Sequence, residues 1–187
     1  MKNILILLLL LVLGSCGPKT KYQSVSENTL SASFSVSDQK MLVETLVSKL
    51  VNDNAFKQEL GNQKPTLLID IVKNKTSEQI DTESMTDTIK MNIVKARMFS
   101  VINRDKMDIL AKEQSLNQSG LTDSQKATQL GKLWGAQYVL YGNFSSIVNY
   151  VGKEKQVYYK FNLVIQNIQT GEEVWIDESE LNKISKR

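Results

Sequence analysis

The chain has 187 residues, 41% of them hydrophobic and 23% charged, which excludes a fibrous or disordered protein and fits one ordinary folded domain. Its 23 Lys and Arg against 20 Asp and Glu give a net charge of +3, spread along the chain, so the basic stripe of a nucleic-acid binder is missing. There is no His and a single Cys, which excludes an imidazole base, a Ser-His-Asp triad, the common zinc ligand sets and an internal disulfide.

Met1-Lys2-Asn3 is a short positive segment, followed by ten apolar residues at 4–13 and the small pair Gly14-Ser15. A membrane-spanning helix needs about 20 apolar residues, so this run reads as the hydrophobic part of a secretory signal peptide covering residues 1–15. Leu13-Gly14-Ser15-Cys16 resembles the lipobox of bacterial lipoproteins. That resemblance implies cleavage before Cys16, which then carries a thioether-linked diacylglycerol and an acylated amine. Several acyl chains, at about 0.8 kcal/mol per buried methylene, hold a membrane far more firmly than one. After Cys16, residues 17–36 are rich in Ser, Thr, Asn and Lys and have one proline, Pro18. They read as a flexible tether of at most about 70 Å, or about 25 Å as a relaxed coil.

A single globular domain is expected over 37–187. Ser37-Asp38 reads as the cap and acidic first turn of a helix whose core stripe is Val43, Leu46, Val47 and Leu50. Gly61 and Pro65 punctuate the loop that follows. Residues 66–72, TLLIDIV, are apolar on both alternating faces and predict a central strand covered on both sides. A helix over 83–98 carries Met85, Ile89, Ile93 and Ala96 on one stripe, and a strand starts at Phe99. Strand, helix and strand in this order predict a parallel, right-handed unit. Two more helices are expected over 105–114 and 123–134, the second with Thr122 and Gln125 at capping-box spacing and Ala127, Leu130 and Trp134 inward.

The pattern then changes to strands over 137–148, 156–168 and 172–181, with turns at Gly152 and Thr170-Gly171. The middle one alternates, with Tyr159, Phe161, Leu163 and Ile165 on one face and Tyr158, Lys160, Asn162 and Gln166 on the other. The expected fold is mixed α+β: a parallel core, a C-terminal antiparallel meander with one wet face, and helices packed on the sheet.

Candidate functional residues are few. Glu172-Glu173 and Asp177, Glu178 and Glu180 flank a turn and end a strand, where solvated carboxylates are common, so no catalytic residue is assigned. No metal site or cofactor is assigned either. Asp70 stands inside an apolar strand, where a carboxylate needs hydrogen-bond donors; it reads as a structural acceptor for a loop or helix terminus. The aromatics Tyr138, Tyr141, Phe144, Tyr159, Phe161 and Trp175 follow the strand period and read as core, while Tyr158 faces outward. The loops after the first two parallel strands place Asn74, Lys75 and Arg104 at carboxyl ends, where open sheets bind ligands, and these three are the candidate partner contacts.

The segments LLIDIVKNKTSEQIDTESMTDTIK, FSVINRDKMDILAKEQ, LGKLWGAQYVLYGNFSSI and IQTGEEVWIDESELNK follow one another as in a known family, with GAQYVLYG and TGEEVW the most specific. The chain resembles the LpoB family of penicillin-binding protein activators. The resemblance implies a fold similar to the N-terminal domain of TolB, with no enzymatic activity. It implies a monomer, lipid-anchored in the outer membrane and facing the periplasm, that binds a bifunctional class A penicillin-binding protein and stimulates peptidoglycan synthesis. Better-known members carry a long proline-rich tether, and here it is short. Gly17 is not the Asp that, in similar enterobacterial lipoproteins, retains a protein at the inner membrane. An envelope-assembly component related to the curli secretion lipoproteins is an alternative, although those need membrane-inserting hairpins for which this chain is short. A small-ligand binding lipoprotein is another.

Overall fold

A computed structural model describes residues 33–61, 63–102, 132 and 135–186. The helices expected over 105–114 and 123–134, Arg104, Cys16 and the signal peptide lie outside the described residues.

Helix α1, Val36–Asn52, starts earlier than expected because Ser35 takes the cap, not Ser37. Ser35 sits in extended backbone, its hydroxyl accepts from Asp38 N at 3.3 Å, and the Asp38 carboxylate accepts from Ser35 N at 2.8 Å. This reciprocal box satisfies two backbone donors at once. Leu42, Val43, Leu46, Val47 and Leu50 form the buried stripe. The loop expected next holds a short helix, α2, Asn54–Leu60, capped by Asp53, whose carboxylate accepts from Phe56 N at 3.0 Å. Seven residues are too few to show a helical period, yet they bury Phe56.

The strand expected over 66–72 is two pieces, β1 (Thr66–Ile69) and β2 (Lys73–Asn74). Both run parallel to β4 (Tyr138–Val151), with Ile69 opposite Leu140 and Lys73 opposite Asn143, so β1 and β2 use one residue more than their partner. The extra residue makes a bulge. Asp70 N still donates to Leu140 O at 2.8 Å, while the buried Asp70 carboxylate accepts from Ile71 N at 2.9 Å. Val72 N turns to Thr86 Oγ1 at 3.0 Å. Asp70 and Thr86 thus take up backbone donors that a straight strand would have paired.

Helix α3, Thr82–Ala96, is capped by Asp81 and ends at Arg97, which adopts a left-handed φ of 59°; the expected range was 83–98. Met85, Ile89 and Ile93 are buried as expected, with Thr86 beside them. Strand β3, Ser100–Ile102, follows the buried Phe99. β5 (Glu154–Asn167) and β6 (Glu173–Lys186) complete the sheet, whose order is β3-β1-β4-β5-β6, with β2 paired to β4.

β1 is central and parallel to both neighbours, and β4, β5 and β6 are antiparallel, so the expected mixed sheet is present. One face carries the main core, in which α1 and α3 cover Leu67, Ile69, Phe144, Tyr159, Phe161 and Leu163. On the other face Leu68, Ala136, Val139 and Ile168 form a smaller cluster. The alternation read in β5 holds: Tyr159, Phe161, Leu163 and Ile165 are fully buried.

At Gly142 there is no room for a side chain between β4 and β5. A Cβ there would lie 2.6 Å from the Asn162 carbonyl oxygen and 2.7 Å from Leu163 Cδ2. The carbonyl belongs to the ladder and cannot retreat. Gly142→Ala is therefore expected to destabilise the domain by about 1–3 kcal/mol, the usual cost of overpacking, as read from a urea melt.

Candidate functional site

Four elements meet where the chain joins the domain. Ser33, Phe34 and Ser35 precede α1 as a strap across the sheet, within the stretch assigned to the tether by sequence. The Phe34 ring lies 4.7 Å from Phe144 and 5.2 Å from Tyr159, centroid to centroid. Phe34 N donates to Glu78 Oε2 at 3.2 Å, and the Tyr159 hydroxyl donates to Glu78 Oε1. Burial first, then the acceptor Glu78, pushes the Tyr159 phenol well above its ordinary pKa. On the other side Lys183 Nζ donates to Ser33 O at 2.8 Å and to Asp38 Oδ2 at 2.6 Å. Both side chains of this ion pair are largely shielded, at 14% and 11% exposure.

The loop that supplies Glu78 leaves the carboxyl end of β2. Asn74 and Lys75, two of the candidate contacts, open it. The Asn74 side chain is engaged within the loop: its carbonyl accepts from Thr76 N at 2.9 Å and Thr76 Oγ1 at 2.8 Å, and its amide donates to Glu78 O at 2.9 Å. It shapes the loop that positions Glu78. Lys75 is exposed, and its backbone N–H donates to Phe144 O at 2.7 Å. Glu78 itself carried no signal in sequence, because it lies in a polar loop with no period. Lys183 and Asp38 are separated by 145 residues, which hides their pairing as well.

The outer face of the meander is open and mixes exposed isoleucines, Ile147, Ile176 and Ile184, with paired polar groups. Lys160 pairs with Glu178 at 2.5 Å, and this hydrogen bond raises the Lys160 pKa. Tyr158 faces outward as expected and is hydrogen-bonded to Glu180, which raises its pKa. Tyr141 donates to Glu173 Oε1 at 2.9 Å; burial and this bond push its pKa up to about 12. Of the acidic residues that might have suggested catalysis, Glu173, Glu178 and Glu180 are thus engaged with tyrosines and a lysine, and Asp177 with Lys49 at 2.7 Å. A shallow groove of about 410 Å³ runs along α3 past Asp81, Glu83, Ser84, Asp87, Thr88 and Met91. Among the described residues, no group of His, Cys, Asp and Glu could hold a metal ion, and no helix is long and apolar enough to cross a membrane.

Comparison with known proteins decides what this arrangement belongs to. The family model of the peptidoglycan-synthase activator LpoB matches residues 38–181. The chain belongs to the LpoB family. LpoB of Cronobacter turicensis, named a penicillin-binding protein activator, is 28% identical over 115 residues, 61% of this chain and 48% of the relative. LpoB of Yersinia enterocolitica is 29% identical over 134 residues, 71% of this chain and 63% of the relative. The chain spans about half the length of the first curated relatives it matches. The C-terminal domain of Escherichia coli LpoB superposes with a TM-score of 0.60 at 22% identity, over 77% of this chain and 98% of that one. The corresponding domain from Salmonella enterica gives 0.56, also at 22% identity. These structures share the fold described above.

Proposed function

We propose that this protein is a lipid-anchored envelope component that binds a class A penicillin-binding protein and stimulates peptidoglycan synthesis. It performs no chemistry of its own. The observation that carries this reading is the extent of the family match, 38–181, which runs from α1 into β6. The relatives' name, penicillin-binding protein activator, supplies the partner. Activation by binding needs only a higher affinity for the active conformer of the synthase; a coupling of about 1–3 kcal/mol corresponds to about 5–150-fold.

In this reading Cys16 is the first residue of the mature chain and carries the lipid, and, with Gly17 in place of the Asp that retains similar enterobacterial lipoproteins at the inner membrane, it is anchored in the outer membrane, facing the periplasm. The protein acts as a monomer, without cofactor or nucleic acid. Partner contact falls on the carboxyl-end rim, where Lys75 supplies an exposed charge and Asn74 the loop shape; Arg104, the third candidate contact, lies outside the described residues. The test is retention of purified class A synthases on the immobilised chain, combined with glycan polymerisation rates. Retention and a several-fold faster rate are expected, with Lys75→Glu weakening retention at unchanged stability. Neither retention nor acceleration by any class A synthase of the same cell would sink the reading.

A further inference from the structure

Helix α1 runs alongside β6, with Asp38 at Lys183 and Lys49 at Asp177. Its N-terminus, and the strap leading into it, therefore face the turn between β4 and β5. Among the described residues, the strands continue alone past that level. Lys183 is opposite Val157, and the ladder runs on to the pair Val151 and Glu154, about 10 Å further at about 3.3 Å per residue.

This projecting finger carries half of the most exposed apolar side chains. Of six described large hydrophobic residues at least 60% exposed, Tyr150, Val151 and Ile184 lie on it, and Val36 at the start of α1 and Ile147 at its base lie near this end. Ile176 lies elsewhere. Scattered exposed apolar residues need no explanation, but a cluster at one end does. The turn at the end of the finger, 150–156, contains Lys153 and Lys155 against one carboxylate side chain, Glu154.

We propose that this finger docks on the surface of the bilayer that holds the anchor, with Tyr150 and Val151 entering the headgroup region and Lys153 and Lys155 facing anionic lipid. The proposal rests on the reading of Cys16 as the lipidated residue. A tyrosine suits the interface because its ring is apolar and its hydroxyl is not, and lysine stems lie along apolar surface while their ammonium groups stay wet. Each lysine near an anionic surface adds to the attraction. Alone, two apolar side chains and two lysines bind weakly. The anchor makes the contact intramolecular and so raises the effective concentration of membrane.

Reach agrees with this. The 17 residues from Cys16 to Ser33 can bridge at most about 60 Å. Ser33, held by Lys183, lies at the finger's end of the domain, so the chain enters the domain on the side that the finger presents to the bilayer.

The experiment uses the lipidated full chain in vesicles of phosphatidylethanolamine and phosphatidylglycerol, some with brominated acyl chains. With Cys16 blocked by lipid, Val151→Cys provides a single reactive thiol for an environment-sensitive fluorophore. Val94→Cys, at a half-exposed position on α3, is the control. The label at 151 is expected to shift to the blue and lose about half its emission to brominated lipid, while the label at 94 changes by less than about a tenth. Tyr150→Ser combined with Lys153→Glu should abolish the difference. Equal behaviour of the two labels overturns the proposal, and so does a blue shift without quenching, which means that protein covers the finger. Fluorophore found on Cys16 by peptide mass refutes the anchor instead; quenching at 151 by the same vesicles, added from outside, then decides the finger independently.

Discussion

Phe144→Ala is expected to lower the unfolding free energy by about 3–5 kcal/mol, the largest effect of a single truncation in this core. The ring is fully buried. It stacks on Tyr159 at 5.8 Å with planes 8° apart, meets Phe161 edge-on at 6.2 Å, and supports Phe34 at 4.7 Å. Three of the walls of the resulting void would be rigid rings, two of them on β5, which cannot collapse inward without breaking the ladder. A thermal melt should show a fall of about 10 °C, since each kcal/mol shifts a domain of this size by about 2–4 °C. Phe144→Leu, which keeps most of the volume, should cost less than half as much. The strap supplies a second readout: without Phe144 beneath it, Phe34 loses its seat, and limited proteolysis should cut near residue 34 first. Equal melts for the alanine variant and the parent would mean that the strap and β5 close the void at no cost.

Asp38→Ala is the second large effect, about 2–4 kcal/mol, because one carboxylate serves two tasks. Its Oδ2 accepts from Ser35 N at 2.8 Å and Ser35 Oγ at 2.7 Å, closing the N-terminus of α1. The same oxygen neutralises Lys183, which the alanine variant leaves shielded with only Ser33 O. A stranded, shielded ammonium is costlier than a missing pair. Lys183→Met should therefore destabilise less than Asp38→Ala, and the double variant should recover part of the loss. A double-mutant cycle in urea checks this. Strict additivity of the two substitutions would show that the pair contributes nothing beyond the helix cap.

The parts of this fold that sequence shows are those in which one side of an element is wet. In β5 the switch between Tyr159, Phe161 and Leu163 inside and Tyr158, Lys160 and Asn162 outside is visible because water enforces it. The stripes of α1 and α3 are visible for the same reason. By contrast, residues 66–72 are apolar on both faces, so no period marks the bulge after Ile69. Asp70 was readable as a structural acceptor, yet which donor it takes depends on the bulge itself. Two serines two positions apart compete for the cap of α1, and the choice falls to Ser35 because Asp38 is three residues on and already tied to Lys183.

The junction at Glu78 was illegible for another reason. Its partners, Phe34 N and Tyr159, come from 44 and 81 residues away, and each alone looks ordinary. Phe34 is one aromatic in a polar stretch, and one aromatic sets no period. Lys75 and Asn74 were found by topology, from the rule about carboxyl ends, and that rule located a loop whose inner side holds the strap.

The position of β4 in the sheet bears on the order of folding. Toward β5 it is joined by the two-residue turn Gly152-Lys153, and β5 reaches β6 through another short connection, so both hairpins close over local distances. Toward β1 a backbone contact, Gln137 N to Thr66 O at 2.9 Å, joins residues 71 positions apart. Loop closure over that length adds little to the equilibrium cost but slows the search, as contact order does generally. The meander is thus the part of the chain that can assemble on its own schedule, and the parallel half has to wait for a finished edge of β4 on which to add.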